Sequence, residues 1–91
     1  MKTFLIVCKD KKNSLRKRLN NRDNHLNYLK TLKDKLILAG PLLNKNGKPK
    51  GSVLVIKFDN KKNLKDFLKK DPYKKVNLFE NVSIEEFKRV F

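Results

Sequence analysis

The sequence predicts one α+β domain over residues 1–91, with four strands and two helices in the order β-α-β-β-α-β. Two observations lead to this fold class. Two short runs are rich in β-branched and aromatic residues and two further short segments are predicted to be strands, and two longer segments carry apolar residues at three- and four-residue spacing. The chain is long enough for one core, but a chain of this size buries only roughly 60–65% of the surface that its unfolded form exposes.

Three of the predicted strands are apolar runs bounded by polar or turn-forming residues, and the fourth alternates apolar and polar residues. The four are Phe4–Cys8, Leu36–Ala39, Val53–Phe58 and Asn81–Val90. We expect Gly40-Pro41 to stop the second strand and the polar segment 44–51 to form the turn before the third. In the fourth strand Val82 and Ile84 alternate with polar neighbours, which is typical of a half-buried strand.

The first predicted helix follows the first strand. Its apolar stripe, with one arginine, consists of Leu15, Leu19, Arg22, Leu26, Leu29 and Leu32. We expect a break near Asn20-Asn21 and a restart after Arg22 or Asp23. That restart would place His25 in the first turn of the second part, close to free backbone N–H groups.

The second predicted helix is shorter, with Leu64, Phe67 and Leu68 on its apolar stripe and an end at Asp71-Pro72. The resulting order is the ferredoxin-like arrangement, in which both helices cover one face of an antiparallel sheet. The first and third strands are nearly continuous apolar runs, so both faces of the sheet should be buried. We therefore expect a homodimer with sheets packed face to face, a dimeric α+β barrel.

The net charge of +15 is carried by 20 Lys and only four Arg, beside eleven Asn and a single Ala. Arginine is the residue preferred for bidentate recognition of phosphates and base edges. The lysines are spread along the chain without an aromatic stacking platform. We therefore expect solvated lysine-rich surfaces and no specific nucleic-acid partner, although a polyanion binder working through lysine stays an alternative.

Cys8 is the only cysteine, which excludes an internal disulfide and suits a reducing compartment. Its apolar run is too short to span a membrane. We expect a cytoplasmic protein with no membrane partner.

His25 is the only histidine and the natural general acid or base of the chain. The topology brings the end of the second helix, with Asp71, beside the first helix. An aspartate on one histidine nitrogen would fix the tautomer and strengthen the base. Arg22 is a candidate for holding an anion, with a solvated arginine at a helix start as the alternative. Tyr28 and Tyr73 are each candidates either for lining a small aromatic pocket or for packing in the core or at its rim. No cluster has metal-ligand spacing, so neither a metal nor a cofactor is expected.

Several segments together resemble the YCII-related (YciI-like) family. The segment Asp10–Leu19, followed by Arg22-x-x-His25-Leu26, is similar to the beginning of these proteins. Four further segments continue the similarity in order: Ala39-Gly40-Pro41, Gly51-Ser52, Asp71-Pro72-Tyr73 and residues 82–91. The resemblance covers essentially the whole chain.

The resemblance implies a dimeric α+β barrel with a pocket in each subunit, where His25 and Asp71 form an acid–base pair. Other characteristic positions of the family, expected to bind substrate, are matched by Arg22, Gly40, Pro41, Ser52 and Tyr73. Some members look like lyases acting on ring compounds. The implied function is a small cofactor-independent lyase or isomerase acting on a small organic acid or ring compound. A non-catalytic dimer that binds a small ligand is the alternative.

Three departures from the family pattern bear on the helix start, the pocket size and the substrate class. Asp23 stands where members often have Pro, and we expect it to help as a cap at a helix start. The turn at Lys33-Asp34-Lys35 lacks the usual Gly, and the loop between Leu42 and Lys50 is shortened.

Overall fold

A computed structural model describes all 91 residues and contains four strands and three α-helices. The elements in chain order are β1 (Lys2–Asp10), α1 (Leu15–Lys30), β2 (Leu36–Leu43), β3 (Pro49–Phe58), α2 (Lys61–Lys69), α3 (Pro72–Lys75) and β4 (Phe79–Glu86). A short 3₁₀ turn at Lys33–Lys35 joins α1 to β2. The order confirms the predicted β-α-β-β-α-β arrangement, and the four-residue α3 is the one helix that the sequence pattern did not indicate.

The four strands form one antiparallel sheet in the order β2-β3-β1-β4. The register places Ile6 of β1 between Leu54 of β3 and Ile84 of β4. These three side chains therefore lie on one face of the sheet. The topology confirms the predicted α+β, ferredoxin-like fold class.

The core lies between this face and the helices. It comprises Phe4, Ile6, Cys8, Leu54 and Ile56 of the sheet together with Leu29, Leu32 and Leu64. Because successive strand residues alternate between faces, Leu5, Val7 and Val53 point to the opposite face, where they are half-buried in the single chain.

All four strands differ from the sequence prediction at one or both ends, and β1 extends two residues further at each end. β2 continues through Gly40-Pro41 to Leu43, so these residues do not stop the strand as expected. A proline is tolerated there because β2 is an edge strand. β3 begins at Pro49, within the segment predicted as turn.

The fourth strand begins at Phe79 and ends at Glu86, short of the predicted end at Val90. The reason is the length of its neighbour: Phe87 donates its N–H to the carbonyl of Thr3, and β1 begins at Lys2. No strand remains beyond that bond for Phe87–Phe91 to pair with.

α1 is continuous through Asn20-Asn21, so the predicted break is wrong. Asn21 donates its side-chain amide to the carbonyl of Lys17 one turn earlier, at 2.8 Å, and thus fits inside a helix. The helix begins after Ser14, so His25 lies well inside it and Asp23 caps nothing. The predicted position of His25 in the first turn of a helix is therefore wrong.

None of the helices has the length and apolar character needed to cross a bilayer.

Candidate active site

One face of α1 points toward the sheet and carries three polar residues and one leucine. Arg18, Arg22, His25 and Leu29 are spaced by four, three and four residues, which places them on one side of a helix. Arg18 and His25 are only 4% and 5% exposed. Buried ionisable groups need partners, and both residues have them.

The partner of His25 is Asp71. The Nδ1 atom of His25 lies 2.8 Å and 3.0 Å from the two carboxylate oxygens of Asp71, which is 2% exposed. An ionised carboxylate only accepts hydrogen bonds, so Nδ1 carries the proton and donates it. The structure therefore brings together the two residues that the sequence analysis predicted as a pair.

Asp71 is itself held in place by the helix that follows it. It is the N-cap of α3, and its Oδ1 accepts a second hydrogen bond from the backbone N–H of Tyr73 at 2.9 Å. Pro72 occupies the first turn of α3, where its fixed φ suits a helix start. The Asp-Pro pair thus orients the carboxylate as well as ending the preceding segment.

The Nε2 atom of His25 points the other way. It makes no hydrogen bond within the chain, and no solvent-inaccessible side-chain N or O atom lacks a partner. Nε2 is therefore accessible from the adjacent cavity. With the proton on Nδ1, this nitrogen presents a free lone pair.

Arg18 forms a second buried ion pair. Its Nε and Nη2 donate to the two carboxylate oxygens of Asp10 at 2.6 Å and 2.9 Å, and Nη2 also donates to the hydroxyl of Ser52 at 2.9 Å. Burial opposes the charge of Arg18, but the hydrogen bonds and charge of Asp10 outweigh it and raise the pKa of the guanidinium. Arg18 is thus a fixed cation.

Tyr73 contacts both His25 and Arg18. Its ring stacks on the imidazole of His25 with centroids 3.9 Å apart, and the guanidinium carbon of Arg18 lies 4.7 Å from its centre. Burial raises the pKa of the Tyr73 phenol, with Arg18 and Arg22 opposing the shift. The phenol is therefore neutral and able to donate near neutral pH.

Arg18, His25 and Tyr73 line a cavity of about 150 Å³ between α1, β2 and β3. We refer to it as the His25 cavity. Its walls include Arg18, Leu19, Arg22, His25, Leu26, Leu29, Ala39, Gly40, Pro41, Pro49, Ser52, Leu54 and Tyr73. No group of three or more His, Cys, Asp or Glu side chains converges as a metal site anywhere in the fold.

Every residue named from the sequence as a candidate for substrate binding lies in this wall: Arg22, Gly40, Pro41, Ser52 and Tyr73. Arg22 is exposed and forms no salt bridge, whereas Ser52 is buried inside β3 rather than at a strand start. Asp71 stands outside the wall, behind His25.

Arg18 and Asp10 are the buried groups to which the sequence analysis assigned no role. The available signal was the spacing of Arg18 to Arg22 and His25, which predicts a shared helix face. The predicted leucine stripe is not the buried face of α1, since Leu19 of that stripe is 54% exposed.

Tyr28 is not part of the cavity wall and instead has a packing role, the other of its two predicted roles. Its hydroxyl donates to the carbonyl of Phe67 at 2.6 Å and its ring stacks on that of Phe67. Tyr28 therefore stabilises the packing of α1 against α2.

Comparisons with known proteins agree with this architecture. Protein YciI of Escherichia coli is 34% identical over 96 aligned residues, covering 97% of this chain and 98% of that protein. An uncharacterised protein of Haemophilus influenzae is 33% identical with the same coverage.

Among solved structures, the 5-chloro-2-hydroxyhydroquinone dehydrochlorinase of Burkholderia phenoliruptrix, in complex with 2,5-dihydroxybenzoquinone, superposes with a TM-score of 0.88. It is 33% identical, and the match covers 94% of this chain and 93% of that one. A NIPSNAP domain protein of Burkholderia xenovorans, 14% identical with a TM-score of 0.54, shares the fold alone and covers 99% and 95% of the two chains. The YCII-related domain matches residues 2–88, and the chain belongs to the YCII-related family.

Proposed function

We propose that this protein is a small cofactor-independent enzyme of the lyase or isomerase type, with His25 and Asp71 as its acid–base pair. The observation that carries the proposal is that the two nitrogens of the imidazole have different surroundings. Nδ1 donates to a buried carboxylate, while Nε2 is accessible from a cavity large enough for a small molecule. Such a histidine is oriented for proton transfer at Nε2.

In the proposed step, the Nε2 lone pair takes a proton from a C–H or O–H group of the substrate. The electron pair left behind moves into the substrate, and the imidazolium that forms is stabilised by the adjacent Asp71 carboxylate. In an isomerase, the proton then returns to a different substrate atom. In a lyase, the electron pair expels a leaving group as an anion.

The cations of the His25 cavity suit the charge that develops in this step. Arg18 is fixed by Asp10 and Ser52, and Arg22 is free at the wall. The hydroxyl of Tyr73 adds a neutral donor. An enolate or phenolate oxygen formed next to Nε2 would be stabilised by these groups, and Arg18 would not have to reorganise because its guanidinium is already fixed.

The substrate class follows from the size and walls of the cavity. A cavity of about 150 Å³ with apolar walls holds one benzene ring, and the His25 cavity has a similar volume with Leu29 and Leu54 in its wall. The related dehydrochlorinase was solved with 2,5-dihydroxybenzoquinone, a ring of this size. We infer a single six-membered ring with ionisable hydroxyl groups as the substrate.

We further propose that the protein acts as a homodimer. The sheet face opposite the helices carries Leu5, Val7, Val53 and Val55 side by side, and Leu38 beside them is 51% exposed. A second copy packed on this stripe would remove these side chains from water. Light scattering should give twice the chain mass, and Leu5→Glu with Val53→Glu should give the monomer. A monomeric wild-type protein would contradict the proposal.

The enzymatic proposal is tested by following 2,5-dihydroxybenzoquinone binding by absorbance and turnover of halogenated hydroxyhydroquinones by chloride release. We expect His25→Ala to lower turnover by about 100-fold or more and to change ring binding much less. Tyr28→Phe, which alters a tyrosine outside the cavity, is the matched control and should retain activity.

Turnover unaffected by His25→Ala would exclude the acid–base role. Ring binding without turnover in the wild type would favour the non-catalytic ligand-binding dimer.

A further inference from the structure

A second cavity lies beside the His25 cavity, and the imidazole of His25 is not part of its wall. Its volume is about 200 Å³, and it opens between α2, α3 and the β1–β4 part of the sheet. We call it the Lys74 cavity. Leu54 lines both cavities, and Asp71, which holds His25, lines the Lys74 cavity.

The walls of the Lys74 cavity are mainly apolar. Leu68 of α2 and Phe79, Val82 and Ile84 of β4 form most of them, and all four side chains remain partly exposed. Cys8 adds a thiol whose pKa is raised to about 12 by burial, so this part of the wall is neutral. The cavity exists because the short helix α2 leaves the helix-side face of the edge strand β4 incompletely covered.

The rim of the same cavity is positively charged. Lys65 and Lys69 of α2 and Lys74 of α3 contribute to the lining and are exposed. Lys65 and Lys74 form no salt bridge, and Lys69 approaches Asp66 only at 4.0 Å. The one carboxylate in the wall, Asp71, is engaged by His25 and by the Tyr73 backbone.

We propose that the Lys74 cavity is a binding site for a small apolar monocarboxylate, whose hydrocarbon part fills the cavity and whose carboxylate faces Lys65 and Lys74. A cavity of about 150 Å³ lined by aliphatic and aromatic side chains holds benzene, so the volume here accommodates a benzoate-sized ring. The unpaired ammonium groups at the rim complement the negative end. The site is separate from the proposed reaction and requires no role for His25 as a base.

Benzoate is the probe, and acetate, with the same charge but no ring, is the matched ligand control. Titrations are followed by ¹H–¹³C NMR of the methyl groups of the full-length protein. Two double variants test the rim: Lys65→Gln with Lys74→Gln removes the two lining lysines that form no salt bridge and leaves Lys69 in place. Lys61→Gln with Lys62→Gln removes the same charge from exposed positions of α2 outside it.

We expect benzoate to shift the methyl signals of Leu68, Val82 and Ile84 in a saturable manner, and acetate to leave them nearly unchanged. The Lys65/Lys74 double variant should weaken benzoate binding about fourfold, because each of the two exposed charge pairs contributes a factor of about two. The Lys61/Lys62 double variant should bind within about twofold of the wild type. Equal weakening by both pairs, an equal response to acetate, no saturable shift, or shifts centred on Leu26 and Leu29 of the other cavity would each overturn the proposal.

Discussion

The imidazole of His25 lies flat against the phenol ring of Tyr73, with ring centroids 3.9 Å apart and planes 13° from parallel. The same three residues, Asp71-Pro72-Tyr73, therefore supply both the carboxylate that bonds Nδ1 and the surface that fixes the plane of the ring. Because Pro72 restricts the backbone between them, the orientation of His25 depends on one short helix rather than on several independent contacts.

The Arg18–Asp10 pair should dominate the stability of the site. Its two side chains are 5% and 6% exposed, and Arg18→Gln leaves the Asp10 carboxylate buried without a cation. We expect the free energy of unfolding to fall by about 3–5 kcal/mol, as measured by urea denaturation. Arg22→Gln removes the same charge from an exposed residue of the same helix face and should change it by less than about 0.5 kcal/mol. Equal effects of the two variants would show that the Asp10 contact contributes little.

The thiol of Cys8 should make stability depend on pH in the alkaline range. Burial raises its pKa from the ordinary 9.0 to about 12. Below about 9 the thiol is protonated in both states and its contribution is fully present. Above that pH the unfolded chain ionises first, so the contribution is lost as pH rises toward 12. The loss is at most about 1.4 kcal/mol per pH unit.

Cys8→Ala should therefore show a weaker decline of unfolding free energy between pH 9 and 11 than the wild type, in parallel urea titrations. Tyr28 and Tyr73, whose pKa values are also raised, titrate in both proteins and cancel in the comparison. Parallel curves for the two proteins would contradict the burial of an un-ionised thiol.

The turn after α1 stores backbone strain at Lys33. This residue has a φ of 54°, in the left-handed region where a Cβ is unfavourable. Lys33→Gly should raise the free energy of unfolding by about 0.5–1 kcal/mol, read out as a higher melting temperature. Lys35→Gly in the same 3₁₀ turn is the control, because Lys35 has no positive φ. Stabilisation by both changes, or by neither, would argue against strain at Lys33.

Much of the fold was predictable because the spacing of apolar residues within each strand and helix indicates which side faces the core. Ile6, Leu54 and Ile84 lie on one face as alternation requires. Some predicted ends of strands and helices were wrong because contacts outside the segment decide them. Pro41 lies within β2 because β2 is an edge strand. Asn21 lies within α1 because its side chain donates a hydrogen bond to the preceding turn.

The candidate site was predictable in part. His25 stands out as the only histidine, and the fold order brings Asp71 near it. Arg18 was missed because its partner Asp10 lies at the end of a strand and its other partner, Ser52, is 34 positions away in the chain. No local pattern distinguishes this buried arginine from the exposed Arg22 one turn later.

The central claim is that Asp71 holds the proton of neutral His25 on Nδ1 and leaves Nε2 as a base. Long-range ¹H–¹⁵N NMR of the imidazole reports this tautomer directly. The wild type should show the Nδ1–H form. In Asp71→Asn the Oδ1 atom can still accept from the Tyr73 N–H, so the amide NH₂ faces Nδ1 and should move the proton to Nε2. An Nε2–H tautomer in the wild type, or the same tautomer in both proteins, would contradict the account.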